Sequence, residues 1–557
     1  MTRAAHELLL VDALAKVFPD ERPRELLSSE PLTVYAGETA SFQVAWRAPS
    51  TRDLSDLPRL VLRVDAGPGS RVTLHRVGLV PVLLAAYEGA DEHYLRTSPG
   101  LYPDPLHPLG SGEPVVSAVD TWSAWWVDVV VEDPERAGPR TIGVVVSTED
   151  GVELFAAEVG LRVHAAVLPD VDITIAHWLH VDALADRYAV VPFGERHWEL
   201  LDHHLVSLRA MGGNTLLTPL WTPPLDTAPG GRRTSTQLVR VTLRDGSWSF
   251  GFENLDRWAA TAIRRGFTTL EMPHLFTQWG AKATPSVTAG TDAGTQEVFG
   301  WHVPATDPSY REFLGQLVPR LRAHLGIRWP QLRTVWHVSD EPGADALPDY
   351  TAARAVVGNL LDGARVVDAL SDRRFLTAGS VDVPVVATDA VGPFAAAGDE
   401  FWVYHCNAQD RGVSNRFIAQ PSWRTRAIGQ QLFASGATGF LHWGFNFWNS
   451  QLSTRTVDPW QDPSSGGAFP AGDAFVVYPG ADGRPVESLR HRALRQAVDD
   501  HRALQLLGAR VGAFAAARVA GGGTAMAFDD LRPGVEFWSA SRREVDRLAL
   551  GGSPPSR

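Results

Sequence analysis

Hydrophobic and polar positions alternate with a period of two in short runs over the first third of the chain. LTVYAGETASFQVAW, RLVLRVDAG, WSAWWVDVVVE, RTIGVVVST and VELFAAEVGLRVHAA each read as a strand, because side chains along an extended backbone point to opposite faces in turn. Gly, Pro and Asp punctuate these runs, the texture of an antiparallel β-sandwich. The pattern ends at Val167-Leu168-Pro169-Asp170, so a sandwich domain is expected over residues 1–168.

From about residue 171 the period changes. Short apolar strands alternate with amphipathic helices. ITIAHW (173–178), NTLLTPLW (214–221), TTLEMPH (268–274) and RTVWHVSDEPG (333–343) read as strands. HWELLDHHLVSLRAMGG (197–213), LDRWAATAIRRGF (255–267), YREFLGQLVPRLRAHLG (310–326) and DYTAARAVVGNLL (349–361) read as the helices between and after them. Weaker strands follow at ARVVDAL (364–370) and VPVVATD (383–389). Clearer ones at EFWVYHC (400–406) and ATGFLHW (437–443) flank the helix WRTRAIGQQLFASG (423–436), and SLRHRALRQAVDDHRALQLL (488–507) closes the series. About eight strand–helix units predict a catalytic (β/α)8 barrel of the TIM type over residues 169–507. Residues 508–557 are Gly/Ala-rich with weak strand signals and are expected to form a small β or irregular segment. APGGRRTSTQ (228–237) and SVTAGTDAGTQ (286–296) read as surface excursions from the barrel.

Composition narrows the function classes. The 557 residues carry a net charge of −13 with no Lys/Arg-rich run, which excludes nucleic acid and anionic membrane as expected partners. A single cysteine, Cys406, cannot form an internal disulfide. No H-E-x-x-H spacing and no phosphate-cradling Gly-rich loop occurs, so neither a metal nor a cofactor is expected. The start, MTRAAHELLLVDALAKVFPDE, lacks the apolar core and small-residue site of a secretory signal. A cytoplasmic protein acting on imported material is therefore expected. Oligomeric state is not legible. The excess of Trp, 19 against 4 Met, supplies flat apolar faces on which the C–H face of a sugar ring packs.

In such barrels the chemistry sits at the C-terminal ends of the strands. Those ends carry His177-Trp178, Trp221, Glu271 with His274, Asp340-Glu341-Pro342, His405-Cys406-Asn407, and His442-Trp443. Carboxylates, amides, His and Trp together suit a neutral polyol. His203-His204, inside a helical run, reads as surface rather than metal ligand. Asp340-Glu341 is the sharpest feature. Neighbours in a regular strand face opposite ways, and the two acids share a pocket only where the pleat breaks, as Pro342 makes it do. Two carboxylates held close raise the proton affinity of one, dividing them into an acid and an ionised stabiliser, as glycoside hydrolysis requires. A conventional retaining glycosidase sets a second carboxylate roughly 5 Å from the acid. The seventh and eighth strand ends have no Asp or Glu, and only Glu271 and Asp182 remain as candidates. Without a separate nucleophile, a 2-acetamido group of the substrate can attack through its carbonyl oxygen.

GETASFQVAW, WLHVDALADRYAV (178–190), VWHVSDEPG, HWGFNFWN (442–449), GDAFVVYPG (472–480) and SLRHRALRQAVDDHRAL (488–504) occur in an order that resembles glycoside hydrolase family 123 and its relatives across most of the chain. The resemblance implies an exo-acting β-N-acetylgalactosaminidase working through an oxazolinium intermediate. Asp340 would then stabilise that intermediate, and Glu341 would be the general acid/base. An oligosaccharide or glycoconjugate is the implied substrate. Trp279, Trp443 and Trp448 are candidates to pack on the sugar. His177, His405, Asn407 and Asn446 are candidates to bind its hydroxyls, with Asp473 and Tyr478 implied in a returning loop. Two alternatives stay open: a glycosidase for a sugar lacking an acetamido group, with a separate carboxylate nucleophile, and a non-catalytic carbohydrate-binding barrel.

Overall fold

Two sheets account for the alternating runs of the first third, seen in a computed structural model that describes residues 6–50 and 58–552. One sheet runs Glu7–Asp12, Thr39–Arg47, Trp122–Val131, Ser70–Val82, Gly100–Leu109, all antiparallel. The other runs Leu32–Tyr35, Glu153–His164, Gly138–Thr148, Leu60–Asp65, with its first pair parallel. One core joins them. Phe42, Val44, Trp46, Trp125 and Val127 from the first sheet meet Leu62, Ile142, Val144 and Leu161 from the second, and Trp46 stacks on Trp125 at 3.7 Å between centroids. The run WSAWWVDVVV does not show clean alternation of burial because both of its faces are covered. Trp125 joins the core between the sheets, while Trp126 joins Val11, Val77, Leu106 and Leu489 on the other side.

A closed barrel of eight parallel strands follows. We number its strands β1 (Thr174–His177), β2 (Thr215–Leu217), β3 (Thr269–Glu271), β4 (Arg333–Trp336), β5 (Arg365–Ala369), β6 (Val383–Ala387), β7 (Trp402–Tyr404) and β8 (Gly439–His442). A helix separates each of β1 to β7 from the next barrel strand, with a strand pair inserted ahead of it after β2 and after β3. β8 closes on β1 in the register Thr174↔Gly439 to His177↔His442. Ala176, Leu217, Val335, Val367, Val385, Trp402 and Leu441 fill the interior, as packed barrels require.

The chain does not divide into three consecutive domains. One compact unit gathers residues 1–171, 416–434 and 486–557; the other holds 172–415 and 435–485. The cause is apolar burial. Tyr35 and Leu168 pack with Leu504, Leu507, Ala516, Val545 and Leu548, and Leu14 packs with Trp423, Ala427 and Trp538. The expected β or irregular C-terminal segment is instead helical, with helices Ala513–Ala520 and Val535–Ala549. Val535, Trp538, Val545 and Leu548 supply one apolar face. The expected surface excursions are also structured. Residues 286–296 fall in a hairpin, Val287–Thr291 with Gly294–Phe299, which extends a small sheet with Arg240–Arg244 and Ser247–Gly251. Within 228–237, Arg233 is buried in a two-pronged ion pair with Asp182. No helix among the described residues is long and apolar enough to cross a membrane.

Candidate active site

Beyond Trp336 the backbone of β4 continues as an irregular extension braced on both sides. Leu275 and Phe276 donate to the carbonyls of His337 and Val338 at 3.1 and 3.0 Å, and Trp279 donates to the carbonyl of Asp340 at 2.7 Å. From β5, the Asp368 carboxylate accepts the Val338 amide at 3.0 Å and the Ser339 amide at 3.4 Å. At Glu341 φ is +41°, a left-handed conformation that a non-glycine residue adopts at a cost of order 1–2 kcal/mol. This twist breaks the pleat. Asp340 and Glu341 therefore line one cavity of about 280 Å³ at the C-terminal mouth of the barrel.

Besides Asp340 and Glu341 from the end of β4 and Ala369 from β5, the cavity walls come from five further strand ends and the loops after them. Trp178 follows β1, Asp226 lies beyond β2, Gln278 and Trp279 beyond β3, Tyr404 and Asn407 at and beyond β7, and Trp443 beyond β8. Trp279 is 43% exposed at the rim. Burial, and then the charge of Glu341, push the Asp340 carboxyl well above the usual range. Burial also raises Glu341, partly offset by the hydrogen bond that Tyr404 donates to it. Burial lifts Asp226 to about 6, against the pull of the Leu452 amide and the Arg233 charge.

Beneath the cavity lies a buried polar chain. Trp178 Nε1 donates to Glu271 Oε1 at 2.8 Å, and His337 Nε2 donates to the same oxygen at 2.6 Å. His337 Nδ1 faces Asp368 at 3.1 Å, and the Tyr350 hydroxyl donates to Asp368. Burial alone would lower the His337 pKa, but its bonds to Asp368 and Glu271 raise it to about 10, so the ring is an imidazolium between two carboxylates. Among the described residues, His274, His337 and Asp368 bring donor atoms within 4.8 Å of one another. As it stands the cluster is an ion-pair network, since both His337 nitrogens are committed to carboxylates.

Of the residues expected to bind substrate, Trp279, Asn407 and Trp443 line the cavity with Asp340 and Glu341. The others do not. His177 and His405 are buried against Phe440 and His442. Parity explains this: Trp178, Tyr404 and Leu441 face the cavity, so their strand neighbours His177, His405 and His442 face away. Asn446 is buried and clamps the backbone of residue 180, accepting from the His180 amide at 2.8 Å and donating to its carbonyl at 3.1 Å. Trp448 is buried and donates to the carbonyl of Val477 at 3.2 Å. Asp473 accepts from Trp443 Nε1 at 3.1 Å, so it orients a wall residue. Tyr478 is buried, stacked on Trp460 at 4.8 Å. His204, read as surface, is buried with Nδ1 2.8 Å from the Leu200 carbonyl. Glu271 and Asp182, the candidate second carboxylates, are committed to the network below and to Arg233. Trp178, Asp226 and Tyr404 line the cavity but fall outside the set expected from the sequence.

Two of the sequence blocks near the C-terminus are packed on each other. Phe447 donates to the carbonyl of Ala474 at 3.1 Å and Val476 to that of Phe445 at 3.0 Å. A Cβ on Gly444 would lie 2.2 Å from the Ala474 carbonyl oxygen, so the glycine after Trp443 permits this contact.

No curated protein matches the chain. A family 123 glycoside hydrolase from Clostridium perfringens, studied for glycolipid glycan hydrolysis, superposes with a TM-score of 0.72 at 14% identity, over 98% of each chain. At that identity the likeness establishes a shared fold. An endo-β-1,4-mannanase from Thermotoga petrophila aligns loosely, with a TM-score of 0.33 at 11% identity over 60% of this chain and 77% of that one. The pattern of the glycoside hydrolase 123 catalytic domain matches residues 178–507, more than half the chain and the whole barrel mouth just described. The chain therefore belongs to glycoside hydrolase family 123 and is a glycoside hydrolase.

Proposed function

We propose that this hydrolase is an exo-acting, retaining β-N-acetylgalactosaminidase that uses its substrate's acetamido group as the nucleophile. One observation carries the reading: two acids adjacent in sequence line the same cavity, and burial raises the proton affinity of both. A volume of about 280 Å³ lies at the low end of small-molecule pockets, which begin near ~300 Å³. It suits a terminal sugar rather than the interior of a polymer. Trp178 and Trp443 line the cavity, and Trp279 stands exposed at the rim where a leaving group departs.

The acetamido carbonyl oxygen attacks the anomeric carbon while Glu341 gives its proton to the departing glycosidic oxygen. The resulting oxazolinium carries its N–H toward Asp340. Glu341 then takes a proton from water, whose oxygen opens the ring at the anomeric carbon with net retention. Before substrate binds, burial raises the proton affinity of both acids, and Tyr404 donates a hydrogen bond to Glu341. An acetamido N–H donated to Asp340 favours the ionised form of that acid. An ionised Asp340 in turn favours the protonated form of Glu341 beside it, where the leaving oxygen needs the proton.

A panel of aryl β-glycosides tests the proposal. Turnover of the N-acetylgalactosaminide, with inhibition by the matching thiazoline, is the expected outcome; turnover confined to galactosides overturns it. Asp226 favours a second reading, because it is a separate carboxylate in the same cavity. A sugar without an acetamido group would then be attacked by that side chain. Trapping by a 2-deoxy-2-fluoro glycosyl fluoride, with the label on Asp226, would support it. The relative's work on glycolipid glycans makes glycoconjugates the natural substrates to try.

A further inference from the structure

Three loops converge on Asp226. Its amide donates to Gln278 Oε1 from the loop after β3. Its carbonyl accepts from Ser453 Oγ at 2.7 Å, and its Oδ2 accepts from the Leu452 amide at 3.1 Å, both from the loop after β8. Ala228 donates to the carbonyl of Leu452 at 3.0 Å, and Gln278 Nε2 reaches the Thr227 carbonyl at 3.4 Å. Asp226, Leu452 and Ser453 have φ of +38°, +59° and +51°. Three left-handed non-glycine residues that hold one another are costly, and such strain collects where a side chain must be aimed. The side chain so held lines the cavity containing Asp340 and Glu341.

Bracing alone does not call for an acid here. The backbone contacts and Ser453 already join the two loops, and an amide oxygen could also accept from Leu452. Burying the carboxyl works against the fold once it ionises, whereas a carboxylate facing a sugar makes a stronger hydrogen bond to a hydroxyl than an amide does.

We propose that Asp226 is a specificity-determining residue of the cavity, its carboxylate accepting a hydrogen bond from one hydroxyl of the terminal sugar. The inference rests on the acetamido-sugar reading above and deepens it: Asp340 recognises the acetamido group, Glu341 the glycosidic oxygen, and Asp226 a ring or exocyclic hydroxyl. That hydroxyl distinguishes one hexosamine from its deoxy analogues.

The test measures kcat/KM for wild type and Asp226→Asn on the parent aryl N-acetylgalactosaminide and its monodeoxy analogues, each lacking one hydroxyl. The expected result is that one analogue loses about 10- to 100-fold on wild type, as for a hydrogen bond to a charged group, and that Asp226→Asn loses a similar factor on the parent but little more on that analogue. Equal loss by the variant on every substrate, with a lowered melting temperature, would make Asp226 a structural brace and overturn the proposal. So would a variant within twofold of wild type, or covalent labelling of Asp226 by the fluoro sugar. Calorimetry on wild type with the parent and monodeoxy thiazolines gives a second measurement that needs no variant, and equal affinities for all of them would also overturn it. Wild type inert toward every acetamido substrate overturns the parent reading; an active wild type with an indifferent Asp226→Asn overturns this one alone.

Discussion

Glu341 combines two demands on one residue. Its backbone is held in a conformation with φ of +41°, and its side chain shares one cavity with another acid. Both follow from turning a strand end so that neighbouring side chains converge. Glu341→Gln keeps the shape of the side chain and removes the transferable proton. It is expected to lose most activity on substrates with poor leaving groups and much less on activated aryl ones, read from kcat/KM across a series of aryl leaving groups. Equal loss across the series would remove Glu341 from the acid role. The converging pair was legible in the sequence, since Asp-Glu-Pro after an apolar strand marks a broken pleat. Asp226 was not, because it lies in the Pro-rich loop WTPPLDTAPGG, where no periodicity says which way a side chain points.

At the scale of an element, the end of β4 is held by charge as well as by hydrogen bonds. His337 carries its proton between Glu271 and Asp368, with its pKa raised from 6.5 to about 10. A histidine whose folded pKa is raised stabilises the protein fully below its unfolded pKa, and that contribution fades as pH climbs toward the folded value. Stability should therefore decline between about pH 6.5 and pH 10. His337→Gln should be destabilised at neutral pH by about 3–5 kcal/mol, the usual effect of removing one partner from a buried ion pair. It should also show a flatter melting-temperature profile over that pH window. The strand ends teach a further lesson about reading sequence. Parity, counted outward from the apolar barrel-facing positions Ala176, Trp402 and Leu441, assigns Trp178, Tyr404 and Trp443 to the cavity and His177, His405 and His442 to the other side. Chemical type alone favours His177 and His405, the members of two of these pairs that face away, and Trp443, the cavity-facing member of the third. The helix Val535–Ala549 was hidden differently. Its apolar positions have helical spacing, but Gly-rich stretches nearby read as loop.

At the scale of the molecule, distant stretches of chain are tied together by single cations. Arg542 donates to Glu38 at 2.7 Å, to Asp500 at 3.1 Å and to Asp546 at 2.8 Å, with its side chain 7% exposed. Removing it leaves three carboxylates without their shared cation, so Arg542→Ala should destabilise by at least about 3–5 kcal/mol. The expected readout is a large drop in melting temperature, or protein recovered only as aggregates; a drop within a degree or two would show that the cluster contributes little. Such ties are invisible to sequence reading, since nothing local at residue 38 announces a partner five hundred positions away.

The interleaved composition of the first unit constrains how this protein can be taken apart. A single scission at residue 171 cannot release a self-sufficient barrel. The downstream piece would carry Leu504, Leu507, Ala516 and Val545 stripped of Tyr35 and Leu168, while the upstream piece would lose the helices against which its own apolar face is built. For an enzyme engineer, the junction at residue 171 is no boundary between modules, since residues 416–434 and 486–557 fold back with the first unit.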